Sequence, residues 1–276
     1  MIDAIKEVGM ICAGSKSKSR EAILKYERVA EKMPQVDIPV THHLHGGMYG
    51  REINIPAGTV ITGQIYKFDH FDIMIEGDIT VSTDTDEPKR FTGFNLFKGM
   101  SGKKRAGYAH KDTRWITFHP FSSENGDEVQ SFVTAESFED LAEFYISANR
   151  ADYFNFVSST GLTEGQILSQ VNSKDDQIDD KDFSVYVSES DIQGLGLYTF
   201  KNILAGEEIC MARINGMRTR AGRYTNHAVF PNAEIKINNG DAAMFATKDI
   251  ESREELTINY RALINHRANM GDLCQE

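Results

Sequence analysis

The chain has 276 residues, which is longer than most single domains, so its length predicts two domains. Hydrophobic residues make up 40% and charged residues 26%, a composition that excludes fibrous and disordered chains. The formal net charge of −11 disfavours nucleic acid as a main partner, because affinity for phosphate backbones depends on lysine and arginine. Three widely spaced cysteines build neither a disulfide framework nor a zinc cluster, which favours a reducing, cytoplasmic setting.

Residues 1–39 are predicted to be an N-terminal helical segment. The short, acidic start MIDAIKEVGMICAG is unlike a secretory signal, and no apolar run approaches the ~18 residues of a membrane-spanning helix, so no membrane association is expected. The stretch SREAILKYERVAEKM then repeats apolar residues at helical spacing, and Pro34 ends the pattern. We expect this helix to serve packing or assembly.

Residues 40–122 have the sequence pattern of an all-β domain. Short runs rich in Val, Ile, Thr, Tyr and Phe alternate with turns of Gly, Pro, Asp and Asn, as in REINIPAGTVITGQIY, FDIMIEGDITVST and DTRWITFH. This pattern predicts a β-sandwich or barrel.

Residues 123–182 are predicted to form a helical connector that ends in an acidic linker. The aromatics of ESFEDLAEFYISANRADYFNFV fall at helical spacing and are interpreted as core packing rather than as a cofactor site. Thr163 and Gln166 are placed for a capping box at the start of a further helix. The polar stretch SKDDQIDDKD at 173–182 is the predicted domain boundary.

Residues 183–276 return to β signals, and the stretch RALINHRANM predicts a short closing helix. Three motifs occur here in order: IQGLGLY at 192–198, RYTNH at 223–227 followed by Pro231-Asn232, and EELTINY at 254–260. Two glycines around a leucine allow the backbone to approach a ligand closely, because no Cβ obstructs it.

Together with the turn ILAGE at 203–207 and the stretch ATKDI at 246–250, these motifs resemble the SET-domain family of protein lysine methyltransferases. The resemblance covers about 80 residues, in the family's order and approximate spacing. It implies a SET-type (β-clip) fold in which the second and third motifs cross like a knot. It also implies S-adenosylmethionine as the cofactor and a protein lysine side chain as the substrate.

The resemblance assigns a role to each matching residue. Gly194, Gly196 and Leu197, in the turn at 194–197 that we call the glycine turn, would present backbone groups to the methionine and adenosine portions of the cofactor. Asn226 would bind the amino-acid end of the cofactor, and the His227 backbone would meet the adenine. Tyr260 would stand beside the transferred methyl group, and Tyr224 would line the lysine channel. Arg223 fits either a cofactor contact or a structural ion pair. The expected cofactor-binding residues are thus Gly194, Leu195, Gly196, Leu197, Arg223, Asn226 and His227, and the expected catalytic residues are Tyr260 and Tyr224.

Elementary chemistry supports this assignment. Methyl transfer from a sulfonium is a direct displacement, so positioning supplies much of the rate. The attacking lysine must be neutral, although its ordinary pKa is about 10.4, and an apolar channel beside a positive sulfonium disfavours the charged form. A phenol such as that of Tyr260 orients the amine without adding charge.

The sequence also departs from the family pattern. The stretch from Ile209 to Arg223 is short, a Cys-rich segment after the domain is missing, Asn259 stands where an acid is common, and Arg253 stands where glycine is common. Protein-substrate recognition is therefore expected from the N-terminal domain, the C-terminal helix or another subunit. A non-enzymatic alternative is an oligomeric scaffold or virion-associated protein with a degenerate SET-like domain.

Residues 50–119 resemble a cupin barrel through the stretches NIPAGTVITG, IMIEGDITVST and KKRAGYAH. The metal-ligand positions of a cupin fall on Gln64, Tyr66, His70 and His110, so the usual His-x-His pair is lost. A metal-free barrel for assembly or ligand binding is expected. His70 and His110 remain weak metal candidates, with His42, His43, His45 and His119 nearby in sequence. A metal-dependent enzyme is the third hypothesis.

The predicted architecture is therefore mainly β: a cupin-like barrel, a helical connector and a SET-type domain. The whole arrangement also resembles proteins encoded by bacteriophages, which would place it in the host cytoplasm or the virion. We expect a homo-oligomer assembled through the cupin-like domain. The favoured function is S-adenosylmethionine-dependent methylation of protein lysine.

Overall fold

A computed structural model of the chain describes residues 16–82, 88–121, 123, 125–179 and 182–261. The fold is mainly β, as predicted. The chain divides into two compact units, residues 1–142 and residues 143–276. The predicted closing helix and the first 15 residues lie outside the described residues. Within them, no helix is long and apolar enough to cross a membrane.

The first unit consists mainly of antiparallel strands. Its described part begins with helix α1 (Lys16–Ala30), in the stretch where helical spacing was predicted, and includes helix α2 (Gly126–Val133) near the end of the unit. Its strands are β1 (Val40–His45), β2 (Met48–Ile55), β3 (Val60–Thr62), β4 (Ile65–Tyr66), β5 (His70–Val81), β6 (Lys89–Thr92), β7 (Asn95–Gly99), β8 (Ala106–Pro120) and β9 (Thr134–Ala135).

Seven of these strands form one sheet in the order β1-β2-β8-β5-β6, with β3 paired to β8 and β7 paired to β5. All of these pairs are antiparallel. The path is open, since no pair among the described strands joins its two ends. β1 and β2 are joined by Gly46 and Gly47, whose φ angles of +57° and +77° suit the two-residue turn of a twisted hairpin. Ile53, Met74 and Ala109 contribute to the apolar core.

The second unit combines helices with two small sheets. Helix α3 (Phe138–Thr160) begins in the first unit and continues into the second, and α4 (Glu164–Asn172) follows. The reciprocal hydrogen bonds between Thr163 and Gln166 are the predicted capping box. The remaining elements are β10 (Val185–Glu189), β11 (Leu195–Thr199), β12 (Glu208–Ile214), β13 (Met217–Arg218), α5 (Arg220–Tyr224), β14 (Asn226–His227), β15 (Ala233–Asn238), β16 (Asp241–Ala246) and β17 (Glu255–Ile258).

One sheet has the order β10-β11-β17-β14, and the other has the order β13-β12-β16-β15. β14 runs parallel to β17, whereas the other pairs of these two sheets are antiparallel. The buried Asn232 side chain supports this crossing, because it accepts the Thr257 backbone N–H at 2.8 Å and donates to the Glu255 carbonyl at 2.7 Å. Leu197, Met244 and Leu256 lie in the common core.

Residues 173–179 of the acidic stretch do not form a free linker, which corrects the sequence interpretation. The Asp176 carboxylate accepts both Nε and Nη2 of the buried Arg218, at 2.8 and 2.5 Å. The same guanidinium donates to the carbonyl oxygens of Val171 and Ser173, at the C-terminal end of α4. Opposite charge therefore holds the stretch against β13, and the division between units falls earlier, between Ala142 and Glu143.

Replacing Arg218 with alanine is expected to lower the free energy of unfolding by about 2–4 kcal/mol, because it removes the bidentate partner of Asp176 and a donor to the carbonyls at the end of α4. Urea unfolding of the whole chain measures this. Glu234→Ala is the control, because it removes an ion pair with Lys236 whose two side chains are both more than half exposed, and such pairs contribute below about 1 kcal/mol. Equal losses in both variants would contradict the structural role of Arg218.

Candidate functional site

The predicted site residues of the second unit meet where β14 crosses β17. The register pairs Asn226 with Thr257 and His227 with Ile258. Tyr260 follows two residues after β17, so its backbone N–H reaches the His227 ring, with 3.2 Å between the nitrogen and Nδ1. Two motifs that are far apart in sequence thus form one surface.

A cavity of about 720 Å³ lies against this crossing. This volume falls within the range of roughly 300–1,000 Å³ that is usual for small-molecule sites. The glycine turn, the β14 segment and helices α3 and α4 all contribute to its walls. Among the residues that line it are Tyr153, Phe156, Ile192, Gln193, Gly194, Leu195, Arg223, Tyr224, Thr225, Asn226, His227 and Tyr260.

The glycine turn contributes unevenly to the cavity. Gly194 has a φ of +55° with open space where a Cβ would project, so the backbone conformation is the reason that glycine is favoured at this position. A Cβ on Gly196 would stand 2.3 Å from Oε1 of Glu255, so close packing on that carboxylate is the reason that glycine is favoured at position 196. Leu195 lines the cavity and is half exposed, whereas the Leu197 side chain is fully buried in the core.

Asn226 ties the glycine turn to β17. Its Nδ2 lies 2.9 Å from Oε1 of Glu255 and 3.0 Å from Oγ of Ser190, and the carbonyl oxygens of Gln193 and Leu195 lie within 3.3 Å. Ser190 also donates to Glu255, at 2.8 Å. The side chain therefore organises the turn that borders the cavity, in addition to facing the cavity itself.

His227 is buried and held in one protonation form. Its Nδ1 accepts the backbone N–H of Tyr260, and its Nε2 lies 2.9 Å from Oδ2 of Asp152. An atom that accepts from a peptide N–H carries no proton, so the neutral ring carries its proton on Nε2. Burial lowers the pKa of His227, and the Asp152 carboxylate partly opposes this effect.

Tyr260 is held at both ends by the β14 segment. Besides its backbone bond to His227, its hydroxyl donates to the Thr225 carbonyl at 2.8 Å. Burial raises the pKa of the phenol to about 12, so it stays protonated at neutral pH. Since its hydrogen is engaged, the lone pairs of its oxygen are oriented to accept a hydrogen bond from another group.

Arg223 and Tyr224 stand together on α5. The guanidinium carbon of Arg223 lies 4.9 Å from the centroid of the Tyr224 ring, and Nη2 donates to Oδ1 of Asn172 at 2.6 Å. The sequence left open a structural ion pair for Arg223, and the structure instead shows a hydrogen bond to the neutral amide of Asn172. Both side chains line the cavity.

Sequence reasoning missed the contribution of helix α3. Asn149, Asp152 and Phe156 share one face of this helix, since they are three and four residues apart. Asn149 accepts the Val229 backbone N–H at 2.9 Å, and the Phe156 ring stacks on His227 with a centroid separation of 6.5 Å. Polar residues at core-facing helical positions were the available signal, although only the fold shows what they meet.

In the first unit, the weak metal candidates His70 and His110 do not share a site. Phe71 pairs with Phe118 and Ile79 with Ala109, so the two histidines lie near opposite ends of the β5–β8 pair. Eight residues of strand correspond to a separation on the order of 20 Å. His70 contacts Asp72, at 3.3 Å, and His110 contacts Thr80, at 2.8 Å. Within the described ranges, no three His, Cys, Asp or Glu side chains are grouped to hold a metal ion.

His119 is the unusual polar group of this unit. It is 1% exposed, and neither ring nitrogen has a hydrogen-bond partner among the described residues. Its ring centroid lies 4.9 Å from that of Tyr66 and 5.0 Å from that of His70. Burial, reinforced by His70, lowers the pKa of His119 to about 4, so the ring is neutral at physiological pH.

A sequence model of the SET domain matches residues 213–261. The matched segment includes Tyr224, Asn226, His227 and Tyr260, whereas the glycine turn and α3 lie before it. A search of curated proteins finds no match.

Similar solved structures include a Polycomb Repressive Complex 2 and cupin proteins. A humanized mutant of the Chaetomium thermophilum Polycomb Repressive Complex 2, bound to the inhibitor GSK126, is 24% identical, covering 28% of this chain and 14% of that chain, with a TM-score of 0.25. A cupin superfamily protein from Desulfitobacterium hafniense is 8% identical, covering 33% of this chain and 84% of that chain, with a TM-score of 0.28. Ectoine synthase from P. lautus is 19% identical, with coverages of 37% and 78% and a TM-score of 0.30.

Gly196→Ala is expected to lower the free energy of unfolding by about 1–3 kcal/mol, because its methyl group overlaps the Glu255 carboxylate. The loss should shrink in a Glu255→Ala background, where the overlapping atoms are gone. Gly194→Ala, whose cost is backbone strain alone, is the matched control, and its effect should be the same in both backgrounds. A double-mutant cycle by urea unfolding measures both, and equal coupling for the two glycines would contradict the packing role of Gly196.

The first unit should become less stable in acid because of His119. A histidine with a pKa near 6.5 when unfolded and about 4 when folded binds more protons in the unfolded state between these values. The free energy of unfolding is therefore unaffected above pH 6.5 and falls by about 3 kcal/mol as the pH drops to 4.

His119→Phe keeps a ring at this position and should remove that part of the pH dependence. Unfolding by urea at a series of pH values, monitored by a probe in the first unit, compares the two proteins. Parallel stability curves for wild type and variant between pH 6.5 and 4 would contradict the assignment.

Proposed function

We propose that this chain transfers a methyl group from S-adenosylmethionine to the side chain of a protein lysine. The observation that carries the proposal is the single cavity that the glycine turn, Asn226 and Tyr260 share. The SET domain match over residues 213–261 supports a methyltransferase-type family, and the matched segment contains five of the proposed site residues: Arg223, Tyr224, Asn226, His227 and Tyr260.

The cavity walls fit the proposed cofactor in size and chemistry. Gly194 lines the cavity with open space where a Cβ would project, and Asn226 lines it with the side-chain amide that organises the turn. Arg223 has a guanidinium with five N–H donors, of which Asn172 accepts one, and such a fork matches a carboxylate. S-adenosylmethionine, when bound, supplies an electrophilic methyl group on a positive sulfur.

The proposed role of Tyr260 is to orient the lysine amine. Its hydroxyl hydrogen is donated to the Thr225 carbonyl, so the phenol oxygen accepts an N–H of the neutral amine and leaves the nitrogen lone pair free to attack. A phenol with a pKa of about 12 does not act as the base at neutral pH. The lysine therefore loses its proton to solvent before the attack, and cationic walls such as Arg223 favour that loss.

Three parts of the sequence interpretation stay predictions: assembly through the cupin-like unit, a cytoplasmic or virion setting, and the source in a bacteriophage. The non-enzymatic scaffold hypothesis makes the opposite prediction for the cavity, namely that S-adenosylmethionine does not bind.

Tyr260→Phe should lower methyl transfer on the order of 100-fold, because the amine loses its orienting acceptor. Cofactor affinity should change little. The measurement is transfer of labelled methyl from S-adenosylmethionine to proteins of a cell extract, with calorimetric titration of the cofactor. Tyr186→Phe, which removes a phenol that does not line the cavity, is the control. Equal labelling by all three proteins would exclude Tyr260 from the mechanism.

Asn226→Ala should weaken cofactor binding by roughly tenfold, since one hydrogen bond and the order of the glycine turn are lost together. Titration of the purified variant with S-adenosylmethionine measures the change. Asn259→Ala serves as the comparison, because that amide accepts the Arg261 backbone N–H and does not line the cavity. A wild-type protein that neither binds the cofactor nor labels any protein would favour the scaffold hypothesis.

A further inference from the structure

A hydrogen-bonded chain connects helix α3 to Tyr260. The Tyr260 backbone N–H donates to Nδ1 of His227, and Nε2 of His227 lies 2.9 Å from Oδ2 of Asp152. Arg261 closes the chain on the far side, with Nε 3.2 Å and Nη2 3.0 Å from Oδ1 of Asp152. His227 is buried, and the Asp152 side chain is 26% exposed, so water competes little for the contact between them.

The hydrogen bonds of this chain all run in one direction, from donor to acceptor, from Tyr260 through His227 to Asp152. A backbone N–H only donates, and a carboxylate only accepts, so the neutral His227 ring must accept through Nδ1 and donate through Nε2. An acceptor at the Asp152 position favours this tautomer over the alternative one. If the proton moved to Nδ1, the ring would present a hydrogen to the Tyr260 N–H and the bond between them would be lost.

The position of Tyr260 depends on this bond. The residue is tied to the β14 segment twice, by its N–H to His227 and by its hydroxyl to the Thr225 carbonyl at 2.8 Å. Phe156, one helical turn after Asp152, packs against both rings, with centroid separations of 6.5 Å to His227 and 6.0 Å to Tyr260. A displaced His227 ring would therefore shift the phenol, and a shift of about 1 Å is enough to cost on the order of 100-fold in rate.

We propose that Asp152 is a positioning residue for methyl transfer, which fixes the His227 tautomer and thereby the place of the Tyr260 hydroxyl in the cavity. This inference rests on the proposed function. Asp152 lies on α3, before the segment that matches the SET domain, so the helix completes a site whose other parts come from that segment and from the glycine turn.

The charges around His227 give the proposal a pH signature. Asp152 faces the ring from α3 and Arg261 from the end of β17, and Tyr260 is neutral. Protonation of His227 places a hydrogen on Nδ1 and breaks the bond to Tyr260, so transfer falls on the acid side. Removing the Asp152 charge leaves burial and Arg261, which both lower the pKa of His227, so the acid limb moves to lower pH.

The test compares Asp152→Ala, Asp152→Asn and Glu143→Gln, an exposed acid on the same helix. Asparagine retains an acceptor oxygen for Nε2, whereas alanine does not. Asp152→Ala is expected to lower kcat by about 10- to 100-fold, with KM for the protein substrate and the cofactor Kd changed less than about threefold. Asp152→Asn should restore most of kcat with its acid limb at lower pH, and Glu143→Gln should match wild type.

Ring ¹⁵N NMR supplies a readout that does not depend on activity. Wild type and Asp152→Asn should show His227 with its proton on Nε2, and Asp152→Ala should lose that signature. Transfer by Asp152→Ala at the wild-type rate, or an unchanged His227 tautomer in it, would overturn the role of Asp152 alone. Absence of transfer by wild type would overturn the proposed function and this inference together. A parallel loss of kcat, cofactor binding and stability in both Asp152 variants would show a merely structural residue.

Discussion

The parallel pairing of β14 with β17 is the constraint on which the site depends. Each strand is short, and parallel partners require a long connection between them. Here the connection carries β15, β16 and their turns, which bury their own apolar residues against β12. The crossing is therefore stabilised by the core of the unit and by Asn232, whose side-chain oxygen accepts the Thr257 backbone N–H. The residues of two distant motifs become neighbours as a consequence.

Burial then determines the chemistry of these neighbours. The Tyr260 phenol stays protonated and His227 stays neutral because charge is costly away from water. The Asp152 carboxylate beside His227 is paired with Arg261, whose direct hydrogen bonds lower the pKa of Asp152. In the proposed reaction a neutral phenol suits an attacking amine, because an anion in its place would favour the unreactive protonated amine.

The acidic stretch shows how composition misleads about domain organisation. A stretch of Asp, Lys and Ser is typical of a solvated linker. Here, however, Asp176 accepts hydrogen bonds from the buried Arg218, which hold this part of the stretch beside β13. The helices before it belong with the cavity, which they line through Tyr153, Phe156 and Asn172. A buried arginine binds whichever carboxylate the fold brings to it, and a single sequence does not identify that partner.

The sequence by itself determined the mainly β class, the α1 and α4 helices and the order of the motifs, because hydrophobic period, capping and turn residues act over a few neighbouring positions. The glycine turn was also recognisable as a motif, but the contact with Glu255 that explains Gly196 depends on the fold. Only the tertiary structure decided that Asp152 reaches His227, that Asn226 binds Glu255 and that His70 and His110 lie far apart. Those relations depend on strand register and on helix packing, which arise from contacts between residues that are distant in sequence.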